Sequence, residues 1–235
     1  MIEFHRVTLD DLDGVGGLVV VIDVLRAFTT VAYAFNVGAS EIILLSGLDE
    51  ARDLKRRFPD YLLTGEDGGR KPEDFDFGNS PQEYIGRNVS GRTLIMRTTA
   101  GTQGVVRSTS AEVLFAASLC CARSTADAIR ALEPGMVTFV LTGVGPNGFG
   151  DEDAACADYI EAILQDRAMD LQEVQRRVRN SGWGSRFGDP QFPFLDMRDL
   201  ANCLQTDRFP FAMKVFRRAR AFLLRPVMPG EEGTA

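Results

Sequence analysis

The sequence predicts an α/β fold, a three-layer α/β/α arrangement with a mixed, largely parallel sheet, and three observations carry that prediction. Short β-branched apolar runs alternate with segments bearing helix signals, a pattern that favours parallel strand pairing with helices on both sheet faces. Glycine, hydroxyl and acidic residues crowd the loops after several of these runs, and ligands gather at the carboxyl ends of strands in such sheets. The chain has 235 residues, 45% of them hydrophobic. That is enough for one sizeable core, so a single α/β domain over residues 1–235 is expected.

Taken in order, residues 18–25 are an almost uninterrupted apolar run and read as a buried strand, followed by a helix over 30–36. Residues 41–45, 61–64, 93–96, 113–115 and 136–141 repeat the strand pattern. Helices are expected over 49–58, 81–85, 104–108 and 124–132. The tetrad Ser80-Pro81-Gln82-Glu83 joins an N-cap serine, an N1 proline and a capping-box glutamate, which fixes the start of the helix at 81–85. A further helix begins near Asp151. Beyond Leu164 the pattern changes to a C-terminal helical part over 170–225. Amphipathic helices at 170–179 and 207–224 flank a long loop at 180–194, NSGWGSRFGDPQFPF, expected to form a lid. The segment PGEEGTA, 229–235, reads as a frayed tail.

A net charge of −7 argues against a general nucleic-acid or membrane-surface binder, because such partners require a positive field. Arg217, Arg218 and Arg220 read as a solvated helix face rather than an RNA site. No segment has the roughly eighteen apolar residues of a membrane span, and the N-terminus lacks a secretory pattern. Cys120, Cys121, Cys156 and Cys203 form no Cys-x-x-Cys pair, which points to reduced thiols and a cytoplasmic setting. His5 is the only histidine, and it reads as structural.

Four clusters carry candidate chemistry. Asp23 and Arg26 follow the first apolar run; an ion pair between them that caps the next helix competes evenly with a functional reading. In TGEDGGRKPEDFDFGNSP, Glu66 and Asp67 offer hard oxygen ligands among glycines, while Asn79 and Ser80 stand at a helix start suited either to capping or to an anion. In RTTAGTQG, Arg97, Thr98, Thr99, Gly101 and Thr102 supply a charged fork and several neutral donors for an oxyanion. In TGVGPNGFGDEDAACADYI, Gly143 to Gly148 formally match G-x-G-x-x-G. A nucleotide-binding module is therefore a rival, weakened because no acidic strand end follows about 20 residues on and the loop holds no lysine. Asp151, Glu152 and Asp153 open the helix after it, and helical spacing lets one or two of them face a site.

Read together, VVVIDVLRAFTT, GEDGGRKPEDFDFGNSP, RTTAGTQG and GPNGFGDEDAACA resemble the signature stretches of the 2-phosphosulfolactate phosphatase family, with weaker similarity through DMRDLANC. The resemblance implies a Mg²⁺-dependent phosphatase that converts 2-phosphosulfolactate to sulfolactate and phosphate, a step associated with coenzyme M synthesis. It matches Asp23, Arg26, Glu66, Asn79, Ser80, Thr98, Thr99, Gly101, Thr102, Glu152 and Asp153 to family motif positions. Asp23, Arg26, Glu66 and Glu152 are the expected catalytic residues, and Asp23, Glu152 and Asp153 the expected Mg²⁺ ligands. Asn79, Ser80, Arg97, Thr98, Thr99, Gly101 and Thr102 are expected to bind substrate. Two departures stand out, Asp67 where the family commonly has Arg, and Arg97-Thr98-Thr99-Ala100 where it commonly has Thr-Thr-Thr-Asn. The expected partner is a small anionic phosphorylated molecule, with no nucleic acid and no membrane, and with a homodimer left open. Another phosphorylated hydroxy acid and a non-catalytic anion-binding module remain alternative readings. All of them require the distant carboxylates and the threonine turn to meet in one pocket.

Overall fold

The computed structural model describes residues 2–143, 150–218 and 221–228. In chain order the strands and helices are β1 (Glu3–Thr8), β2 (Gly17–Ile22), α1 (Ala27–Asn36), β3 (Glu41–Leu45), α2 (Leu48–Arg57), β4 (Leu62–Gly65), β5 (Phe77–Gly78), β6 (Thr93–Arg97), α3 (Gly101–Arg107), β7 (Ala111–Ala117), α4 (Ala122–Arg130), β8 (Met136–Leu141), α5 (Asp151–Leu164), α6 (Leu171–Asn180), α7 (Met197–Cys203), β9 (Ala212–Arg218) and β10 (Ala221–Val227). The ten strands form one mixed, mostly parallel sheet in the order β1-β8-β2-β7-β9-β10-β3-β6-β4-β5.

Two parallel sets, β1-β8-β2-β7 and β3-β6-β4-β5, are joined by the β9–β10 hairpin through three antiparallel pairings. An odd number of reversals makes the two sets run in opposite senses. Strand twist of roughly 20–25° per step, summed from β2 to β6, rotates the sheet by about 100–125°. The carboxyl ends of β2 and β6 are thereby turned toward each other, and the sheet curls around α1.

Helix α1 explains why the sheet can do this. Its residues from Ala27 to Phe35 are all buried, as befits a helix that is apolar all round. It packs with Val19 and Val21 of β2, Leu114 and Ala116 of β7, Ile42 and Leu44 of β3, and Leu94 and Met96 of β6 in one core. The opposite face of β2, β7 and β8 is covered by α4, α5 and α6, and Ala51 of α2 packs on the outer face of β3, β4 and β6. The three-layer expectation is met.

The expected strands at 41–45 and 136–141 coincide with β3 and β8. The expected helix at 81–85 is a 3-10 turn over Pro81–Tyr84. The expected helix at 207–224 is wrong: this stretch is the β9–β10 hairpin, so the C-terminal part is not wholly helical, and Arg217 and Arg218 lie on a strand. The signal for it is period two, because Phe209, Phe211, Met213 and Val215 alternate and are all buried, whereas a helix would need them three or four apart. The long loop at 180–194 is present, broken only by a 3-10 turn at Gly184–Arg186. Strand β1 and helix α7 escaped the sequence reading. Much of the glycine loop at 143–148, Arg220 and the expected tail at 229–235 lie outside the described residues. Among the described residues no helix is long and apolar enough to cross a membrane. All four cysteines are free and buried, and His5 pairs with Glu3 on exposed β1.

Candidate active site

The carboxyl end of β2 runs into α1 through Asp23, whose Oδ1 accepts the Ala27 amide at 2.9 Å. This places a 7% exposed carboxylate at a helix N-terminus, where the dipole favours its charge. The first turn of α5 arrives beside it, because α5 follows β8 and β8 is the sheet neighbour of β2. Asp153 receives the Val24 amide on Oδ1 at 2.9 Å and the Gly143 amide on Oδ2 at 2.7 Å. Thr142 adds a longer contact of 3.4 Å to the same Oδ2. Glu152 is 2% exposed, and its Oε2 has no hydrogen-bond partner. Gly143 must be glycine for this packing: a Cβ there would stand 2.6 Å from Glu152 Oε1 and 3.1 Å from Asp153 Oδ2.

The other sheet half contributes Glu66 and the threonine turn. Glu66 follows β4, and its Oε2 accepts the Gly69 amide at 2.6 Å and the Thr99 hydroxyl at 2.9 Å, while Oε1 takes the Thr99 amide. At the start of α3, a Cβ on Gly101 would lie 2.7 Å from Asp23 Oδ2 and 2.7 Å from the Ala27 Cβ, so the two halves meet at a contact only glycine permits. Asp23, Glu66, Glu152 and Asp153 therefore converge, as the sequence reading required. Their mutual field shows in their acidities. Burial first, with Glu66 and Glu152 adding repulsion, pushes Asp23 up to about 6. Burial, then Glu152 and Asp23, hold Asp153 well above the usual carboxylate range. Burial also raises Glu152, with the Ser181 hydroxyl opposing.

The cations sit elsewhere. Arg26 does not pair with Asp23; its Nη1 donates to Asp199 Oδ2 at 2.9 Å and to the Phe194 carbonyl at 2.9 Å. Asp199, buried in α7, also accepts the Ser80 hydroxyl at 2.7 Å and the Gln82 amide at 3.0 Å. One carboxylate thus fixes both Arg26 and Ser80. Arg97 is turned away from the cluster, donating to Asp67 Oδ1 at 2.7 Å and to the Glu66 carbonyl at 3.0 Å. The two departures from the family pattern are one ion pair, and Asp67 serves Arg97 rather than a metal. Thr98 and Thr102 bond reciprocally, amide to hydroxyl, at 2.9 and 3.0 Å, and both are buried at the start of α3. Asn79 is 8% exposed, and its Oδ1 lacks a partner.

Sequence reasoning missed Asp199, Ser181 and Phe194. The stretch DMRDLANC pointed near Asp199, but nothing in a seven-residue helix marks which acid turns inward. The loop at 180–194 forms a wall of the site through Phe194, whose ring would lie 2.5 Å from a Cβ on Gly69.

Among the described residues no three His, Cys, Asp or Glu side chains enclose a metal position, and both oxygens of Asp153 hold backbone amides. Glu152 Oε2 has no hydrogen-bond partner, and it stands with Asp23 in a buried, like-charged cluster. A hard cation that takes one or two carboxylates and retains water fits such a pair; a closed cage as for zinc does not.

Comparison with known proteins agrees with the geometry. A model of the 2-phosphosulpholactate phosphatase family matches residues 5–186. The chain is 36% identical over 197 residues to a probable 2-phosphosulfolactate phosphatase of Bacillus subtilis (strain 168), covering 83% of this chain and 86% of that protein. A protein of the same description from Carboxydothermus hydrogenoformans is 41% identical over 150 residues, 63% of this chain and 61% of its own length. One from Clostridium novyi (strain NT) is 35% identical over 159 residues, 66% of this chain and 66% of its own length.

Proposed function

We propose a reaction for this chain from one premise: it belongs to the 2-phosphosulpholactate phosphatase family, a family named for a phosphoric monoester hydrolase. The reaction is hydrolysis of 2-phosphosulfolactate to sulfolactate and phosphate, dependent on Mg²⁺. The observation that carries it is the buried meeting of Asp23, Glu66, Glu152 and Asp153, with Glu152 Oε2 unpartnered. Four acids packed together and short of buried positive charge are costly to keep ionised, and a divalent cation between them and an anionic substrate offsets that cost.

Asp23 and Glu152 would hold the ion, and Asp153, tied to two backbone amides, keeps the α5 turn against the ends of β2 and β8. When bound, Mg²⁺ supplies electrostatic stabilisation for charge building on the phosphoryl oxygens. Water is the nucleophile rather than Asp23, because Asp23 Oδ1 is tied to Ala27 and Oδ2 is the oxygen left to hold the ion. Glu152 Oε2 accepts the proton of that water. Arg26, held rigid by Asp199, supplies the charged donor for the departing oxyanion. Glu66 joins the glycine loop to Thr99 and keeps the pocket closed on that side.

Sustained release of phosphate from 2-phosphosulfolactate is expected with Mg²⁺, abolished by EDTA and restored by added Mg²⁺. Stoichiometric binding with no release would leave an anion-binding module instead.

The same reading predicts a pH-dependent stabilisation by the metal. Asp23, with its acidity shifted to about 6, is a carboxylate that folding prefers neutral. Its contribution to stability is present below its unfolded pKa and lost as pH rises through 6. At pH 7.5 the metal-free fold carries the full penalty and the ligands are ionised; at pH 5 Mg²⁺ must displace a proton. At 100 times its dissociation constant, Mg²⁺ should stabilise by about 2.7 kcal/mol at pH 7.5, a Tm rise of roughly 5–10 °C for a domain of this size. Scanning fluorimetry should show a much smaller rise at pH 5. Equal rises at both pH values would remove the acid cluster as the binding site.

A further inference from the structure

Beside the acid cluster lies a cavity of about 380 Å³, lined in part by Arg26, Gly69, Lys71, Asn79, Ser80 and Arg198. Its volume is that of a small-molecule site. None of the four acids lines it; it adjoins them through Gly69, whose amide bonds Glu66 at 2.6 Å.

The charges around it are unequal in their commitments. Arg26 pairs with Asp199 at 2.9 Å, and Arg198 with Asp196 at 2.5 Å. Lys71 is different: the carboxylate it pairs with, Glu83, stands 3.9 Å away, beyond hydrogen-bond reach, and Glu83 Oε2 is itself taken by the Gly78 amide at 2.9 Å. The lysine stem runs past Gly78: its Cβ and Cδ lie 3.4 Å from where a Gly78 Cβ would be, and the side chain is 41% exposed. The wall also holds Asn79, 8% exposed with a carboxamide oxygen lacking any partner. A carboxamide offers both a donor and an acceptor. A weakly paired ammonium and a buried carboxamide oxygen that still needs a donor, on one small cavity, make a place for an oxyanion beside a hydroxyl.

We propose that this cavity is the subsite for the second acidic group of the substrate, a sulfonate or carboxylate at the end remote from the phosphoryl group, with Lys71 as its specificity-determining residue. The assignment takes from the phosphatase reading only the identity of the occupant. Lys71 selects for esters that carry a second negative charge one or two carbons from the reacting phosphate. Asn79 bridges the two ends of the molecule. Asp199 keeps Arg26 and Ser80 at the boundary between the subsites.

The test uses the full chain and its Lys71→Ala and Lys71→Arg variants. Calorimetric titration with sulfolactate should show at least about tenfold weaker binding for Lys71→Ala, as loss of a charged hydrogen bond implies, with partial recovery in Lys71→Arg. With 2-phosphosulfolactate, the change should fall on KM rather than kcat. The ratio of kcat/KM for that ester over p-nitrophenyl phosphate, which has no second anionic group, should drop by the same factor. Undiminished sulfolactate affinity in Lys71→Ala, or no sulfolactate binding to the parent chain, overturns the subsite, as does an unaltered ratio. If no ester is turned over at all, the phosphatase reading fails while the titration still decides the cavity.

Discussion

Asp23→Asn is expected to lower phosphate release at least ~100-fold, a loss of about 2.7 kcal/mol in transition-state stabilisation, while the metal-free protein unfolds at an equal or higher temperature at pH 7.5. The two effects oppose because one group serves two ends. Oδ1 accepts the Ala27 amide, a bond that the asparagine oxygen can keep. The lost charge is the one that burial and the neighbouring acids push up to about 6. Holding it ionised at pH 7.5 costs on the order of 3 kcal/mol in the absence of a cation, so its removal relieves the fold. Mg²⁺ should then give little thermal stabilisation to the variant. Kinetics and melting curves on the same preparation decide the matter; near-parental turnover would exclude Asp23 from the reaction.

Asp199→Ala should act through the opposite logic and destabilise strongly. Arg26 is 6% exposed, and Asp199 is its carboxylate partner at 2.9 Å. Removing one member of a buried pair leaves an uncompensated charge and costs about 3–5 kcal/mol, a Tm decrease of roughly 6–20 °C in a domain of this size. The Ser80 hydroxyl and Gln82 amide lose their acceptor as well. Asp199→Asn keeps one oxygen for those two donors and should fall between Asp199→Ala and the parent in Tm. Its kcat/KM should still drop, because Arg26 is no longer anchored by charge. A Tm for Asp199→Ala within 2 °C of the parent, by scanning calorimetry at matched Mg²⁺, would show that Arg26 finds another partner.

The sequence was most legible where local pattern and tertiary role coincide. Residues 41–45 and 136–141 are apolar on both faces because both faces are covered, and strands of that kind announce themselves. It was least legible where an element exists to complete another. β1 carries Glu3, His5 and Arg6 in exposed positions on a sheet edge, so it shows no apolar run. The hairpin's arginines at 217 and 218 obscured the two-residue alternation from Phe209 to Val215. In the site, the acids could be picked out because Asp23 directly follows a strand and Glu66, Glu152 and Asp153 follow glycines beyond one. Their counter-ions could not: whether Arg26 turns to Asp23 or to Asp199, and whether Arg97 grips substrate or Asp67, depends on distances between segments far apart in sequence. Those distances are set by the sheet's twist and not by any local motif.

The placement of the β9–β10 hairpin between two sets of parallel strands bears on how the chain is made. Until residues 212–227 have left the ribosome, β7 and β3 present their inner edges with no neighbour. Open strand edges recruit other chains, and pairings that span so much sequence form slowly. The two sets of parallel strands therefore cannot close around α1 until the hairpin is made, a state that chaperones are suited to shelter.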